Sequence, residues 1–155
     1  MDLKAIADAL ATTFGTITVT TADGAETATA TADLPDNVGT LALLVYPPET
    51  GTLEVGVSAR RNDLYTFAVR VLRDPTSTPA RTRWLYAWYA AIHDKIITTS
   101  ISLGLSYVSE AEPVSMRAQI DGEKYSSIVG VFGPFDVVEL MVDIRVNEHL
   151  PTIVP

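Results

Sequence analysis

Cysteine is absent from this chain of 155 residues, and histidine occurs only twice. The first absence excludes disulfides, thiolate zinc sites, iron–sulfur clusters and a cysteine nucleophile. The scarcity of histidine leaves little for a metal or an acid–base centre. His93 is followed by Asp94, His149 by neighbouring Glu148, and no HExxH or other close-set ligand spacing is present. Charge is sparse as well, at 19 % of residues against 47 % apolar. Disorder requires the opposite balance, and so few charges suggest a surface partly covered by other subunits. Basic residues number 11 against 19 acidic ones, a net charge of −8. Phosphate repels such a chain overall, which argues against free nucleic-acid binding as its main task. No segment has the roughly 18–20 apolar residues of a membrane helix. The opening residues carry acids where a signal peptide carries positive charge. The expectation is a soluble protein made in the cytoplasm, with no membrane partner.

What is present is a pattern of helices and strands. Residues 2–13 read as a helix, with Asp2 as N-cap, Leu3, Ile6, Ala7 and Leu10 at helical spacing, and Gly15 beyond the end. Residues 16–21 and 27–31 alternate as strands around Asp23-Gly24, which predicts a weakly packed Thr/Ala-rich hairpin over 16–33, free to move. Residues 41–46 read as a buried strand stopped by Pro47-Pro48, and 52–58 as a further strand. Residues 63–72 place Tyr65, Phe67, Val69 and Val71 on one face. Thr78 and Pro79 suit the start of the longest helix, 80–97, whose stripe is Leu85, Trp88, Ile92 and Ile96. Trp84, Tyr86 and Tyr89 add aromatic bulk outside that stripe, which suggests a second partner for this helix.

The last third returns to strands. Leu103, Leu105 and Tyr107 alternate, Asp121-Gly122 reads as a turn between 116–120 and 125–132, and 136–148 reads as one long strand. Residues 150–155 read as a loose tail. The fold class is α+β: a mostly antiparallel sheet with an N-terminal helix and one long central helix packed on it, in a single domain over 1–155.

Chemistry is hard to place on this pattern. Neither a G-x-S-x-G elbow nor a phosphate loop occurs, since Gly130-Val131-Phe132-Gly133-Pro134 lacks the lysine and the following helix. The carboxylate pairs Glu110/Glu112 and Asp121/Glu123 fall in predicted loops, where solvated charge explains them. The expectation is therefore no catalytic residue, no cofactor and no metal. Six of the eleven basic residues, Arg60, Arg61, Arg70, Arg73, Arg81 and Arg83, fall within one stretch. Charge balancing in an acidic fold explains them; the sharper reading is an electropositive patch that docks an acidic partner. With the aromatic helix this gives a candidate subunit or partner interface of Arg60, Arg61, Arg81, Arg83, Trp84, Tyr86 and Tyr89.

The strand Leu64-Tyr65-Thr66-Phe67-Ala68-Val69-Arg70-Val71-Leu72, the proline break, and the helix Arg83-Trp84-Leu85-Tyr86-Ala87-Trp88-Tyr89 form a recognisable order. With the opening helix and the long closing strand, the chain resembles the tail-terminator (tail-completion or minor tail) proteins of long-tailed bacteriophages. The resemblance lies in element order and texture across nearly the whole chain, and no family residue is carried over. It implies a structural virion protein, made in the host cytoplasm, that forms a homo-oligomeric ring, a hexamer, on the end of the tail tube. Its partners would be the tail-tube protein and the head–tail connector, with DNA only as non-specific cargo in the channel. Two alternatives stay open. One is a tail-tube subunit or head-side connector protein. The other is a small α+β ligand-binding or enzymatic domain, with a pocket at Trp84, Trp88, Tyr65 and Phe67.

Overall fold

The computed structural model describes residues 1–21, 24–54, 60–77, 80–99 and 102–149. The first helix, α1 (Leu3–Phe14), begins as its sequence dictates: the Asp2 side chain accepts from the Ala5 backbone N–H at 3.1 Å. Ile6, Ala7, Leu10, Ala11 and Phe14 are buried, one stripe of an amphipathic helix. Gly15 follows with φ −67°, so it is not there to turn left-handed. A Cβ at this position would lie 2.9 Å from the Ala30 Cβ, and the glycine lets the chain pass close beneath the helix end.

The Thr/Ala tract divides differently from its alternation. Strands β1 (Val19–Thr21) and β2 (Gly24–Glu26) form a two-stranded antiparallel ribbon. Strand β3 (Thr29–Thr31) instead joins the main sheet, parallel to β4 (Leu41–Thr52). Small residues make this feasible, because Ala30 fits where Gly15 approaches. Nor is the tract weakly packed: Ile17, Val19 and Ala28 belong to the main buried cluster.

The prolines Pro47 and Pro48 do not stop β4. They occupy a register shift between Tyr46 and Thr50, a stretch without ladder partners on β5, so their missing N–H groups break no bond. Strand β5 (Arg60–Arg73) buries Tyr65, Phe67, Val69 and Val71 as the alternation requires. Of the strand expected over 52–58, Thr52 closes β4, 53–54 form no strand, and 55–58 lie outside the described residues, as do Thr78 and Pro79 and the tail 150–155. The long helix α2 (Arg81–Thr98) has Ala80 at its N-cap, with no side-chain cap bond. It buries Leu85, Trp88, Ile92 and Ile96, and Trp84 with them.

No strand forms over 102–107. Leu103 and Gly104 adopt consecutive positive φ values, 53° and 75°, and the Leu105 N–H donates to the Ser102 carbonyl at 2.9 Å. Leu103, Leu105 and Tyr107 pack against the core from these turns, so burial rather than a ladder causes their alternation. Strands β6 (Val108–Ser127) and β7 (Gly130–His149) then form one long antiparallel hairpin. Its turn is Ile128-Val129, between the paired Ser127 and Gly130. Asp121-Gly122 is a bulge within β6, where the ladder shifts between Gln119 and Glu123. Asp121 takes φ 50° there and donates its N–H to Asp136 at 3.0 Å. Both carboxylate pairs thus lie on a strand, not in loops.

The main sheet runs β3-β4-β5-β7-β6, antiparallel throughout except for β3. The architecture is α+β, dominated by antiparallel strands and carrying two helices. On one face of the sheet the stripes of α1 and α2 share a cluster with Val138, Leu140, Val142, Ile144 and Val146 of β7. On the other, a smaller cluster joins Val38, Leu44, Leu72, Tyr125, Phe135 and Val137. Strand β5 pairs with β7 only as far as Arg73–Asp136, so the far end of the β6–β7 hairpin extends past it. That end is held by Tyr125, whose hydroxyl donates to the Pro35 carbonyl, and by Ser127, whose hydroxyl donates to the Asp36 carbonyl at 2.7 Å.

Candidate functional site

Of the six arginines read as one patch, Arg60 and Arg61 lie at one end of β5, Arg70 and Arg73 at the other, and Arg81 and Arg83 on the first turn of α2. The fourteen residues of β5 put Arg60 roughly 43 Å from Arg73 at about 3.3 Å per residue. Most of them are engaged within the chain. Arg60 donates to the Asn147 side chain at 3.1 Å, and Arg61 pairs with buried Asp63. Arg70 pairs with Glu139 and stacks 4.3 Å over the Tyr46 ring. Arg73 lies 3.7 Å from Glu26 and stands over Trp84. Arg81 bonds Asp136 through two nitrogens, at 2.9 and 2.6 Å, and reaches Asp121 at 2.6 Å. Burial pushes the Asp136 carboxyl up, but Arg81 and the Asp121 N–H outweigh it and hold the group below its ordinary value. Charge balancing therefore accounts for Arg61, Arg70, Arg73 and Arg81. Arg60, exposed and bonded to an uncharged amide, and Arg83, exposed on the first turn of α2, differ: no ion pair engages either among the described residues.

The aromatic residues separate as sharply. Trp84 and Trp88 are buried side by side, ring centroids 6.1 Å apart. Both indole N–H groups donate to one carboxylate oxygen of Glu26, Trp88 at 2.7 Å, which ties the β1–β2 ribbon to α2. With Tyr65 and Phe67 also buried, this quartet fills the core and does not form the pocket that the ligand-binding alternative requires. Tyr86 and Tyr89 point outward, Tyr86 being 74 % exposed.

These tyrosines flank an open groove of about 840 Å³ between α2 and β6. Thr82, Leu85, Tyr86 and Tyr89 form its helix wall, and the contiguous run Met116, Arg117, Ala118, Gln119 and Ile120 lines the strand side. Helical spacing sets the first wall. On the second, Arg117 is held by Glu123 at 2.6 Å and Glu139 at 3.0 Å. Burial raises the Glu139 carboxyl, but Arg117 and Arg70 more than reverse this and keep it ionised. Strand β6 is also an edge of the sheet, pairing among the described residues with β7 alone. Pro113 and four register shifts blunt that edge against simple strand addition.

A second apolar feature escaped the sequence reading. The turn of the β6–β7 hairpin exposes Ile128 at 93 %, Val129 at 63 % and Val131 at 66 %. Two-residue turns favour Asn-Gly or Asp-Gly. Here Gly130, at φ 152°, takes the positive φ and leaves two β-branched residues at the tip. The signal was the apolar run 128–132, too continuous for a half-buried strand.

For acid–base or metal chemistry the described residues assemble little. His93 is exposed on α2, 3.4 Å from Asp94, and the His149 side chain lies outside the described residues. Glu110 and Glu112 share one face of β6, and their hydrogen bond raises the Glu112 carboxyl pKa. Among the described residues no group of three His, Asp or Glu side chains is placed to hold a metal. Nor is any helix among them long and apolar enough to cross a membrane. Comparison with protein-family models and with curated protein sequences gives no match.

Proposed function

We propose that this chain is a structural, self-assembling virion subunit of the tail-terminator kind, closing as a ring on the end of a phage tail tube and joining it to the head connector. The observation that carries the reading is the exposed apolar groove between α2 and β6. Monomeric proteins seldom leave a contiguous surface of this kind uncovered. The long central helix, packed on the sheet by its Trp84–Ile96 stripe, turns Tyr86 and Tyr89 toward a neighbour. Aromatic anchors with an arginine at their margin, as Arg83 is here, are what subunit contacts favour. The negative net charge of the chain suits a ring whose channel passes DNA without retaining it.

Light scattering over a concentration series, with negative-stain images of the same samples, tests this. Closed rings, six-fold as the resemblance implies, are the expected result. Long tubes would assign the chain to the tube itself. A strict monomer at every concentration would overturn self-assembly and return weight to a ligand-binding domain.

A further inference from the structure

The chain carries two exposed apolar features that cannot meet within one molecule. The Ile128-Val129 tip stands eight residues beyond Ile120, the last strand residue lining the α2–β6 groove, or roughly 26 Å along β6. Ladder pairing from Tyr125–Phe132 to Ser127–Gly130 holds the tip in that extended position. It cannot fold back into its own groove.

We infer that the tip of one copy seats in the groove of the next, so that the chain joins itself head to tail. The proposal rests on the reading of the chain as a self-assembling subunit and names the contact through which it assembles. Two observations and a symmetry argument favour a second copy as the occupant. First, the tip is a narrow apolar protrusion and the groove an apolar recess walled by Leu85, Tyr86, Met116 and Ile120, so one sequence encodes both halves of the fit. Second, the charges complement one another. Asp36, exposed, sits at the foot of the tip, where its carbonyl accepts from Ser127. Arg83, exposed, sits at the lip of the groove beside Thr82 and Ile120, without an ion-pair partner among the described residues. Third, a contact between different patches of the same chain is heterologous, and heterologous contacts produce rings when the rotation closes. A flat strand-to-strand contact along β6 is disfavoured by Pro113 and the bulges.

The natural absence of cysteine makes the test clean. A chain carrying both Ile120→Cys and Val129→Cys, two exposed positions, should give a ladder of covalent multimers on mild oxidation. An equal mixture of the two single variants should give a covalent dimer and nothing larger, and each alone should stay largely uncrosslinked. Arg83→Glu should reduce the ladder by about tenfold or more, since like charges then face each other across the contact. Adding Asp36→Arg to that variant should restore it. Rings that form without a ladder, or Val129→Cys alone dimerising as well as the double variant, would overturn the tip-in-groove contact and leave ring assembly standing. A chain that stays monomeric and gives no ladder would overturn both.

Discussion

Arg81 and Asp136 are joined by two hydrogen bonds, and the pair locks the first turn of α2 to the start of the β5–β7 ladder. The Asp136 carboxylate is almost fully buried, so the arginine is its counter-charge and its solvent. Arg81 is thus a structural cation, and reversing it would damage the fold before it tested any interface. The pair also sets a pH dependence. Because the folded-state pKa of Asp136 lies below the ordinary 3.8, the stability it contributes is present above that value and lost as pH falls through the folded pKa. Asp136→Asn should be clearly destabilising in urea at neutral pH. The gap from the parent chain should narrow as pH falls through the folded-state pKa of Asp136, where its carboxyl takes up a proton and becomes uncharged like the amide.

The paired indoles make a second prediction. Trp88→Ala should cost about 3–5 kcal/mol, the range for emptying a large core site. Glu26→Leu removes the acceptor of both indole N–H groups and puts an apolar side chain of similar length in its place. It should cost about 1–3 kcal/mol for each donor left unpaired. Chemical unfolding measures both, and amide exchange should show the β1–β2 ribbon losing protection in Glu26→Leu.

Tyr86→Ser should behave in the opposite way. The ring is mostly exposed and outside the core cluster, so stability should stay within about 0.5 kcal/mol of the parent. Self-association, read by light scattering, should weaken. A variant that assembles normally would remove Tyr86 from the contact.

Gly122→Ala probes the bulge in β6. The added Cβ would sit 2.7 Å from both Val137 Cγ1 and Gln119 Cβ, with no flexible end to swing away. A loss of about 1–3 kcal/mol in thermal or chemical unfolding is expected from this overpacking. No loss would mean that the bulge can open.

Much of the framework was legible because period carries burial. The inward residues of β5 and β7 and the stripe of α2 follow directly from alternation and helical spacing. Where the sequence misled, the same local chemistry served another purpose. Asp121-Gly122 has the positive φ of a hairpin turn but spends it on a bulge, and the true turn uses Ile128-Val129, residues that turn preferences reject. Trp84 was placed outside the stripe although it lies four residues before Trp88, at the spacing that joins Trp88, Ile92 and Ile96, and it is buried with them; what spacing does not register is the Glu26 carboxylate that meets its indole N–H. The basic run dispersed for a related reason: proximity in sequence along a strand is distance in space. Of the candidate interface, Arg60, Arg83, Tyr86 and Tyr89 remain at a surface, while Trp84 is buried and Arg61 and Arg81 are held by the chain's own Asp63 and Asp136.

The outer end of the β6–β7 hairpin is, mechanically, a cantilever. Past Asp136 it has no strand of β5 beside it, and its brace is the pair of bonds from Tyr125 and Ser127 to the backbone of Pro35 and Asp36. A load on Ile128 therefore passes into the segment that leads through Val38 to β4, a different strand of the sheet. Bending the arm strains the small cluster of Val38, Leu44, Tyr125 and Phe135 at its root before it disturbs the core beneath the helices. Among the described residues the most exposed large apolar side chain, Ile128, thus sits at the end of an arm anchored by packing at its root and not by the hairpin alone.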